Sequence, residues 1–268
     1  MRSPSTVFLM YHELARPGRP TCEDEPGYLR YVVAEEEFRR HLAALKESRV
    51  TGVSVGRALD PANGSDESDD AGTRACITFD DGCETDLLFA APLLEEFGHG
   101  ATFYVVAGFV GRRGYLAPAQ VRELAERGFE VGSHSMTHRF LNGLGDEEVR
   151  RELSESKDRL EQWSGRKVEH FSCPGGRWDA RVAKAARDTG YRTVATSRVG
   201  ANGRAADFFR LARVAVRRGN TEREVVRAAR GEGLLAQRAR AAALDLAKSV
   251  LGDAVYHKLH AGLGARAR

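Results

Sequence analysis

The chain has 268 residues, of which 42% are hydrophobic and 29% are charged. This balance is typical of a soluble globular protein, and the longest early apolar run, Val7 to Met10, is too short for a membrane span or a signal-peptide core. We therefore expect a cytoplasmic protein without a transmembrane segment. The net charge of +3 is only mildly basic. It does not indicate the clustered basic surface of a nucleic-acid-binding protein.

Short β-rich runs alternate with amphipathic helices over most of the chain. Apolar runs predict strands at 7–12, 52–55, 75–80, 101–106, 129–134, 168–173, 191–196 and 209–216. Helical periodicity predicts helices around 38–45 and 87–94 and over 119–128, 146–163 and 180–190. This order favours an α/β fold with a parallel sheet, closed at this length into a βα barrel. The GxGxxG and P-loop patterns are absent, so nothing indicates nucleotide binding.

Two segments depart from the alternation. Residues 60–73 are acidic and turn-forming, which favours a solvated surface loop over a cation site. After Gly219 a capping box precedes one apolar helical stripe, formed by Leu235, Ala239, Ala242, Leu246 and Val250. We expect a barrel domain over 1–218 and a helical extension over 219–268, packed on the barrel or on a partner. The extension's basic residues, Arg238, Arg240, Lys248 and Lys258, leave a peripheral membrane or protein contact as a minor alternative.

His134 and His138 stand four residues apart, a spacing at which two imidazoles can bind one metal ion. In the HExxH motif the intervening glutamate is the general base, but Ser135 occupies that position here. A pair of histidines at this spacing also arises by chance in a chain of this composition. The pair therefore needs a carboxylate from elsewhere to make a convincing site.

That carboxylate is expected from Asp80 and Asp81, which end a predicted strand just before Gly82. Adjacent side chains on a strand point to opposite sides, so a bend at Gly82 is expected to bring both carboxylates to one site. Polar or glycine-rich clusters also follow three other predicted strands: His12, His134 and the segment 173–176. In a βα barrel the carboxyl ends of the strands share one mouth, where the active site lies. Two imidazoles and one carboxylate form the ligand set of a hydrolytic zinc-type site. One aspartate would then be the ligand and the other the general base.

Several segments, in this order, resemble the polysaccharide deacetylase family, also called the NodB-homology domain or carbohydrate esterase family 4. They are LMYHEL (9–14), TFDDG (78–82), GATFYVVAGFV (100–110), HSMTH (134–138) and FSCPGG (171–176). The resemblance runs from about Val7 to Val216. It implies a distorted barrel of the NodB type, with seven or eight strands, that removes N-acetyl groups from amino sugars with a divalent metal ion.

The resemblance also implies residue roles. Asp80 would be the general base, and the metal ligands would be Asp81, His134 and His138. Thr137 would orient its neighbours. The turn Pro174–Gly176 would line the groove, with the backbone N–H of Gly175 directed at the oxyanion. Zinc is the expected ion, with cobalt, nickel and manganese as alternatives.

The sequence departs from the family pattern at three places, one of which is the Asp and Trp motif of the next groove wall, which is not recognisable here. Ser172 stands where many relatives have an arginine that holds the catalytic aspartate, so Arg210 or Arg213 is expected either to replace it or to form a surface salt bridge. The late leucine-x-histidine that supplies the general acid is also missing. His12 is a candidate for that role, against the alternatives of a structural histidine or one of the tail residues His257 and His260.

The remaining candidates have weaker support. The four cysteines, Cys22, Cys76, Cys83 and Cys173, form no CxxC pair, which favours reduced thiols. Cys83 and Cys173 flank the expected site, but buried structural thiols are more common than nucleophiles. Trp178 and Tyr115 are expected either to stack on a sugar or to pack on the barrel.

Three functional hypotheses follow. The first is a metal-dependent deacetylase of an N-acetylated amino sugar or its oligomer. The second keeps the metal and changes the substrate to another small amide, such as a formyl amide or a cyclic imide. The third is a catalytically weak glycan-binding or assembly module, suggested by the missing arginine and histidine.

Overall fold

A computed structural model describes residues 5–60, 72–236, 238 and 239. The β-rich runs form one curled sheet and one two-stranded ribbon. The strands are β1 (Ser5–Tyr11), β2 (Leu14–Ala15), β3 (Val33–Ala34), β4 (Val50–Val53), β5 (Thr73–Phe79), β6 (Thr102–Val105), β7 (Glu130–Ser133), β8 (His170–Ser172), β9 (Thr193–Ala195), β10 (Ala201–Gly203) and β11 (Val214–Ala215). The helices are α1 (Pro26–Leu29), α2 (Glu35–Glu47), α3 (Val55–Leu59), α4 (Ala91–Phe97), α5 (Pro118–Glu126), α6 (Asp146–Ser164), α7 (Ala180–Asp188) and α8 (Glu222–Ala229).

The main sheet runs in the order β10-β1-β5-β6-β7-β8-β9, with β4 also paired to β5 and β11 to β1. All of these pairs are parallel except β1 with β10. Leu211 pairs in parallel with Ala195 in β9, and Val214 pairs with Leu9 in β1. The segment 211–215 therefore connects the two ends of the sheet and closes it into the distorted barrel that the sequence predicted. The antiparallel β10 was not predicted, because its three residues, Ala-Asn-Gly, carry no apolar pattern.

Two apolar layers hold the barrel together. Between the sheet and the helices, Phe38 of α2 packs edge-on against Tyr11 and Phe79, and Phe79 stacks on Phe103. The other buried cluster consists of Phe8, Val55, Cys76, Tyr104, Ala195 and Leu211. Each fully buried phenylalanine stabilises the fold by about 1.5–3 kcal/mol. These layers fix the strand ends that carry the site.

The predicted helix around Leu87–Leu94 begins differently from an ordinary α-helix. Residues Asp86–Ala90 form a π-helical turn, and α4 follows directly. Such turns are rare and often lie at functional sites. Here the turn follows Cys83 by three residues, close to the end of β5.

The capping box that the sequence predicted starts α8. Thr221 Oγ1 accepts a hydrogen bond from Glu224 N, and Glu224 Oε2 accepts one from Thr221 N. This helix packs against α2 and β1. By its contacts the chain divides into one compact unit, Met1–Glu232, and a second, Gly233–Arg268. The predicted domain boundary after residue 218 stays a prediction.

Several predictions lie largely outside the described residues. These are the acidic loop 60–73, described only at its two ends, most of the apolar stripe of the extension, the basic residues Arg240, Lys248 and Lys258, and the tail histidines. Within the described ranges, no helix combines the length and apolar character needed to cross a membrane. The cytoplasmic location stays a prediction from the sequence.

Candidate active site

The two aspartates lie where β5 ends and the chain turns. Asp80 and Asp81 are 2% and 7% exposed, and Asp80 N donates to Tyr11 O in the neighbouring β1. The sequence suggested that a bend at Gly82 brings both carboxylates to one site. In the structure the left-handed backbone begins one residue earlier, with φ of 82° at Asp81 and 78° at Gly82. This turn directs two adjacent side chains into the same mouth.

The histidines lie on a tight loop that follows β7. Three of the four non-glycine residues with positive φ in the described chain belong to the site: Asp81, Ser135 and His138. Within the loop, His138 N donates to Ser135 Oγ at 3.0 Å. Backbone strain of this kind persists only where surrounding contacts impose it, and it concentrates at functional sites.

Glu152, a buried residue of α6, imposes the loop conformation. Its Oε2 accepts hydrogen bonds from the backbone N–H groups of Met136 (2.9 Å) and Thr137 (2.8 Å). Its Oε1 accepts one from Thr137 Oγ1 at 2.5 Å. Thr137 therefore fastens the histidine loop to α6.

Asp81, His134 and His138 bring their donor atoms together. Asp81 Oδ1 lies 3.6 Å from His134 Nε2 and 3.4 Å from His138 Nε2. Ligand atoms about 2.0–2.1 Å from one tetrahedral ion are about 3.3 Å apart, so this cluster fits a divalent metal ion with little adjustment. His134 Nδ1 donates to Ser172 O at 2.8 Å, which leaves Nε2 free to coordinate. Such a bond from the second ring nitrogen is usual for a metal-binding histidine.

Burial sets the protonation of this cluster. Burial raises the pKa of Asp81 to about 6, against the opposing effect of His12 and with help from the charge of Asp80. Burial lowers the pKa of His134 to about 3, and it also lowers the pKa of His138. Both imidazoles are therefore neutral at neutral pH, as coordination requires.

Arg213 holds Asp80. Its Nη1 and Nη2 donate to Asp80 Oδ1 and Oδ2 at 2.7 and 2.8 Å, and Nη2 also donates to Ser172 Oγ at 2.8 Å. Ser172 Oγ in turn lies 3.3 Å from Asp80 Oδ2. Burial alone would raise the pKa of Asp80, but Arg213 and His134 hold it well below its usual range. Asp80 therefore stays ionised, and its orientation is fixed by a bidentate partner.

Arg210, the other candidate, lies elsewhere. It is exposed, and its guanidinium stacks over the Trp178 ring at 4.4 Å. Trp178 Nε1 donates to Phe209 O, so this indole packs on the barrel's own chain. The ring of Tyr115 packs on Phe109.

His12 directly follows β1 and is partly exposed. Its ring packs on Tyr31 with centroids 4.7 Å apart. Among the described residues its buried Nδ1 has no hydrogen-bond partner, and its charge lowers the pKa of both Asp80 and Asp81. His12 thus lies close to the two carboxylates with an uncommitted ring nitrogen.

The glycine-rich turn follows β8, as predicted. Gly175 and Gly176 have φ of 59° and 68°, and the N–H of Gly176 donates to Cys173 O. A Cβ at Gly175 would lie 2.6 Å from the Phe140 ring. Phe140 is 53% exposed and lines an open depression beside His138. The turn therefore has an aromatic side chain lying directly on it.

Comparisons with known proteins find one family and several relatives. The polysaccharide deacetylase model matches residues 67–194. YxkH of Bacillus subtilis is 33% identical over 140 residues, covering 52% of this chain and 50% of that protein. A peptidoglycan-N-acetylglucosamine deacetylase of Bacillus cereus is 33% identical over 119 residues, covering 44% of this chain and 54% of that protein. The chain spans about half the length of these relatives.

Residues 67–194 of the chain are thus similar to the polysaccharide deacetylase family.

Solved structures confirm the NodB-type fold of the chain. A deacetylase of Streptococcus pyogenes, PplD, solved with acetate, superposes with a TM-score of 0.72 at 21% identity, over 85% of this chain and 99% of that one. The polysaccharide deacetylase BC0361 of Bacillus cereus gives 0.71 at 22% identity, over 84% of this chain and 69% of that one. At these identities the likeness shows the fold alone.

Sequence reasoning missed two residues of this candidate site. Glu152 falls on the buried stripe of α6 with Val149 and Ser156, and an acidic residue on such a stripe was the available signal. Phe140 gave no signal, because an aromatic residue just after the histidine loop is ordinarily part of a core.

Proposed function

We propose that this chain is a metal-dependent N-deacetylase that hydrolyses the acetamide of an N-acetylated amino sugar, or of its oligomer, to acetate and a free amine. The observation that carries the proposal is a buried, arginine-held carboxylate, Asp80, beside three residues spaced to bind one metal ion. The names of relatives agree with this substrate class: one is a peptidoglycan-N-acetylglucosamine deacetylase and another, from Sinorhizobium fredii, a chitooligosaccharide deacetylase.

Asp81, His134 and His138 would hold the ion, for which zinc is the first choice because nitrogen and oxygen donors at this spacing suit its tetrahedral geometry. Cobalt, nickel or manganese would also suit such donors. When bound, the ion would lower the pKa of a water and polarise the acetyl carbonyl. Every other step falls to the chain's own residues.

Asp80 is the proposed general base. It lies 3.8 Å from His134 Nε2, so its carboxylate borders the space that the ligand atoms enclose. Since Arg213 occupies both oxygens from one side, the remaining lone pairs accept the proton of the attacking water. The attack on the acetyl carbon produces a tetrahedral oxyanion.

His12 is the proposed general acid. Its position after β1 brings it to the same mouth as the carboxylates, and its Nδ1 is uncommitted among the described residues. The protonated ring would donate to the leaving nitrogen as the carbon–nitrogen bond breaks. The product amine and acetate then leave the open side of the site.

The turn Pro174–Gly176 would line the groove beside the site. The backbone N–H of Gly175 is the proposed oxyanion donor, because the N–H of Gly176 is already used by Cys173 O. Phe140 lies on this turn, is exposed and borders the depression beside His138, so its ring is suited to stack on a sugar.

The ion pair between Arg213 and Asp80 also bears on the competing hypothesis of a catalytically weak binding module. That hypothesis arose partly from Ser172 in place of an arginine. Arg213 reaches the same aspartate from another segment, so an ordered base argues for catalysis.

Acetate release from a panel of N-acetylated sugars and chitooligosaccharides tests the proposal. We expect turnover with the native protein and none with Asp80→Asn, while metal analysis of both proteins gives one divalent ion per chain. The matched control is Asp188→Asn, a surface aspartate paired with Lys184. Full activity of Asp80→Asn would refute the mechanism. Formate release from added N-formyl amides, with no acetate release from the panel, would favour a different small amide as substrate.

A further inference from the structure

Two cysteines lie in contact beside the site. Cys22 belongs to the segment 16–25 that connects β2 and α1, and Cys83 follows Asp81 by two residues. Their Sγ atoms are 3.0 Å apart. Cys83 is fully buried, whereas Cys22 is partly exposed and therefore reachable from solvent.

Surrounding polar groups hold Cys22 in this position. The Glu13 carboxylate accepts hydrogen bonds from Cys22 N at 2.9 and 3.2 Å and from Tyr28 Oη at 2.8 Å. Cys22 Sγ lies 3.0 Å from Gly114 O. The hydrogen bonds of Glu13 and the contact with Gly114 therefore hold Cys22 against Cys83.

A second metal site formed by Glu13, Cys22 and Cys83 is the alternative explanation of this cluster. Two thiolates bound about 2.3 Å from one tetrahedral zinc ion are about 3.8 Å apart, clearly more than the distance found here. The carboxylate of Glu13 is also already occupied by the hydrogen bonds of Cys22 and Tyr28. In contrast, the sulfurs need to approach by only about 1 Å to reach the disulfide bond length of about 2.05 Å.

We propose that Cys22 and Cys83 are a reversible disulfide site. A small-molecule disulfide of the glutathione type is the oxidant. The thiolate of Cys22 attacks one sulfur of the oxidant, forming a mixed disulfide and releasing one thiol. The sulfur of Cys83 then attacks the sulfur of Cys22, which forms the internal bond and releases the second thiol. The two protons lost by the cysteines end on the two released thiols, and the two electrons reduce the oxidant.

The bond would fasten segment 16–25 to the strand end that carries the site. Two polar contacts already connect these parts: Arg19 pairs with Glu84, and Tyr115 Oη donates to Glu23 at 3.2 Å. Because Cys83 follows Asp81 by two residues, the bond would lie next to the candidate metal cluster. Oxidation would therefore fix one border of the site covalently. This inference concerns a modification and does not depend on the proposed deacetylase activity.

The test starts from the full, reduced chain incubated with glutathione disulfide, followed by alkylation, digestion and mass spectrometry. We expect one cross-linked peptide pair that contains Cys22 and Cys83, reversed by dithiothreitol, with the buried Cys76 and Cys173 still alkylated after unfolding. Thermal unfolding of the oxidised chain should occur about 5–10 °C higher than that of the reduced chain.

Cys22→Ser is the diagnostic variant, since a hydroxyl preserves a donor toward Gly114 O at a partly exposed position. It should remove both the cross-link and the shift in melting temperature, and Cys173→Ser should remove neither. Three results would overturn the proposal: Cys22 stops at the glutathione adduct, the linkage joins other cysteines, or both thiols resist oxidation while Cys22→Ser loses one equivalent of bound zinc.

Discussion

Arg213 and Asp80 form a bidentate ion pair whose side chains are 0% and 3% exposed. The arginine comes from the segment that closes the barrel, and the aspartate from the end of β5. Breaking a buried pair of this kind leaves one charge without compensation, which costs about 3–5 kcal/mol. Lysine cannot reproduce the planar, two-pronged contact.

We expect Arg213→Lys to lower kcat/KM for acetate release by about 10²-fold, because the Asp80 carboxylate is no longer held in position to act on the attacking water. The acid limb of the pH profile should move upward, since loss of the guanidinium bonds raises the pKa of Asp80 and the base then protonates at a higher pH. The measurement is the pH dependence of kcat/KM. Arg210→Lys, at an exposed position stacked on Trp178, is the control and should change neither quantity. An unaltered acid limb in Arg213→Lys would exclude the role assigned to the pair.

Metal affinity should fall below pH 6. Burial holds the pKa of Asp81 at about 6 in the ion-free site, so at lower pH an incoming ion must displace its proton, and affinity falls about tenfold per pH unit. His134, with a pKa of about 3, adds no competing proton in this range. Calorimetry in two buffers of different ionisation enthalpy should detect about one proton released at pH 5 and almost none at pH 7. Equal proton release at both pH values would contradict the assignment.

His12→Gln should lower kcat by about 10²- to 10⁴-fold while metal content stays unchanged. The reason is that the variant lacks a proton donor for the leaving nitrogen but retains all three ligands. His41→Gln is the control, because His41 lies on α2 and contacts Tyr11 Oη and Asn220 O. It should reduce the melting temperature and not kcat. Full turnover by His12→Gln would assign His12 a purely structural role.

Glu152→Gln should weaken metal binding by about 10- to 100-fold, the range typical of residues that orient ligands. The carboxylate accepts three hydrogen bonds from the loop that carries His138, and an amide offers only one acceptor oxygen. Titration against a chelator measures the change. Glu155→Gln, exposed and one turn away on the same helix, should bind metal normally. Equal affinities of the two variants would show that the loop holds its shape without Glu152.

Phe140→Ala should raise KM for an N-acetylated oligosaccharide by about five- to tenfold and leave kcat nearly unchanged, since the loss of one stacking contact costs about 1 kcal/mol. Leu88→Ala, another exposed apolar side chain, is the control. Steady-state kinetics with substrates of increasing length make the comparison. A drop in kcat at constant KM would instead indicate that Phe140 acts through Gly175.

The strand ends that carry the site could be predicted from the sequence because each ends an apolar run and begins a polar or glycine-rich turn. Asp80, Asp81, His134 and the turn after Cys173 all meet at one mouth for that reason. The sequence could not show whether Arg210 or Arg213 binds Asp80. The period-2 pattern fails there, because Phe208–Arg210 form a 3₁₀ turn before the strand segment begins.

Contacts between elements that are far apart in the chain could not be predicted from the sequence either. The bonds from Glu152 to the histidine loop and the contact of Cys22 with Cys83 join parts of the chain that no local period relates. Left-handed backbone at Asp81 and His138 was likewise not predicted, because aspartate and histidine adopt positive φ more often than most side chains but still only rarely.

The partner of Asp80 lies 133 residues further along the chain. Asp81, His134 and His138 are all synthesised before Arg213, so a nascent chain holds every proposed ligand while its proposed base is still without a counter-ion. A chain truncated before Leu211 would lose both the seam between β9 and β1 and the only guanidinium that binds Asp80 among the described residues. Only a chain whose barrel has closed would therefore be able to catalyse the reaction. A chain that ends before Arg213 would have no ordered general base.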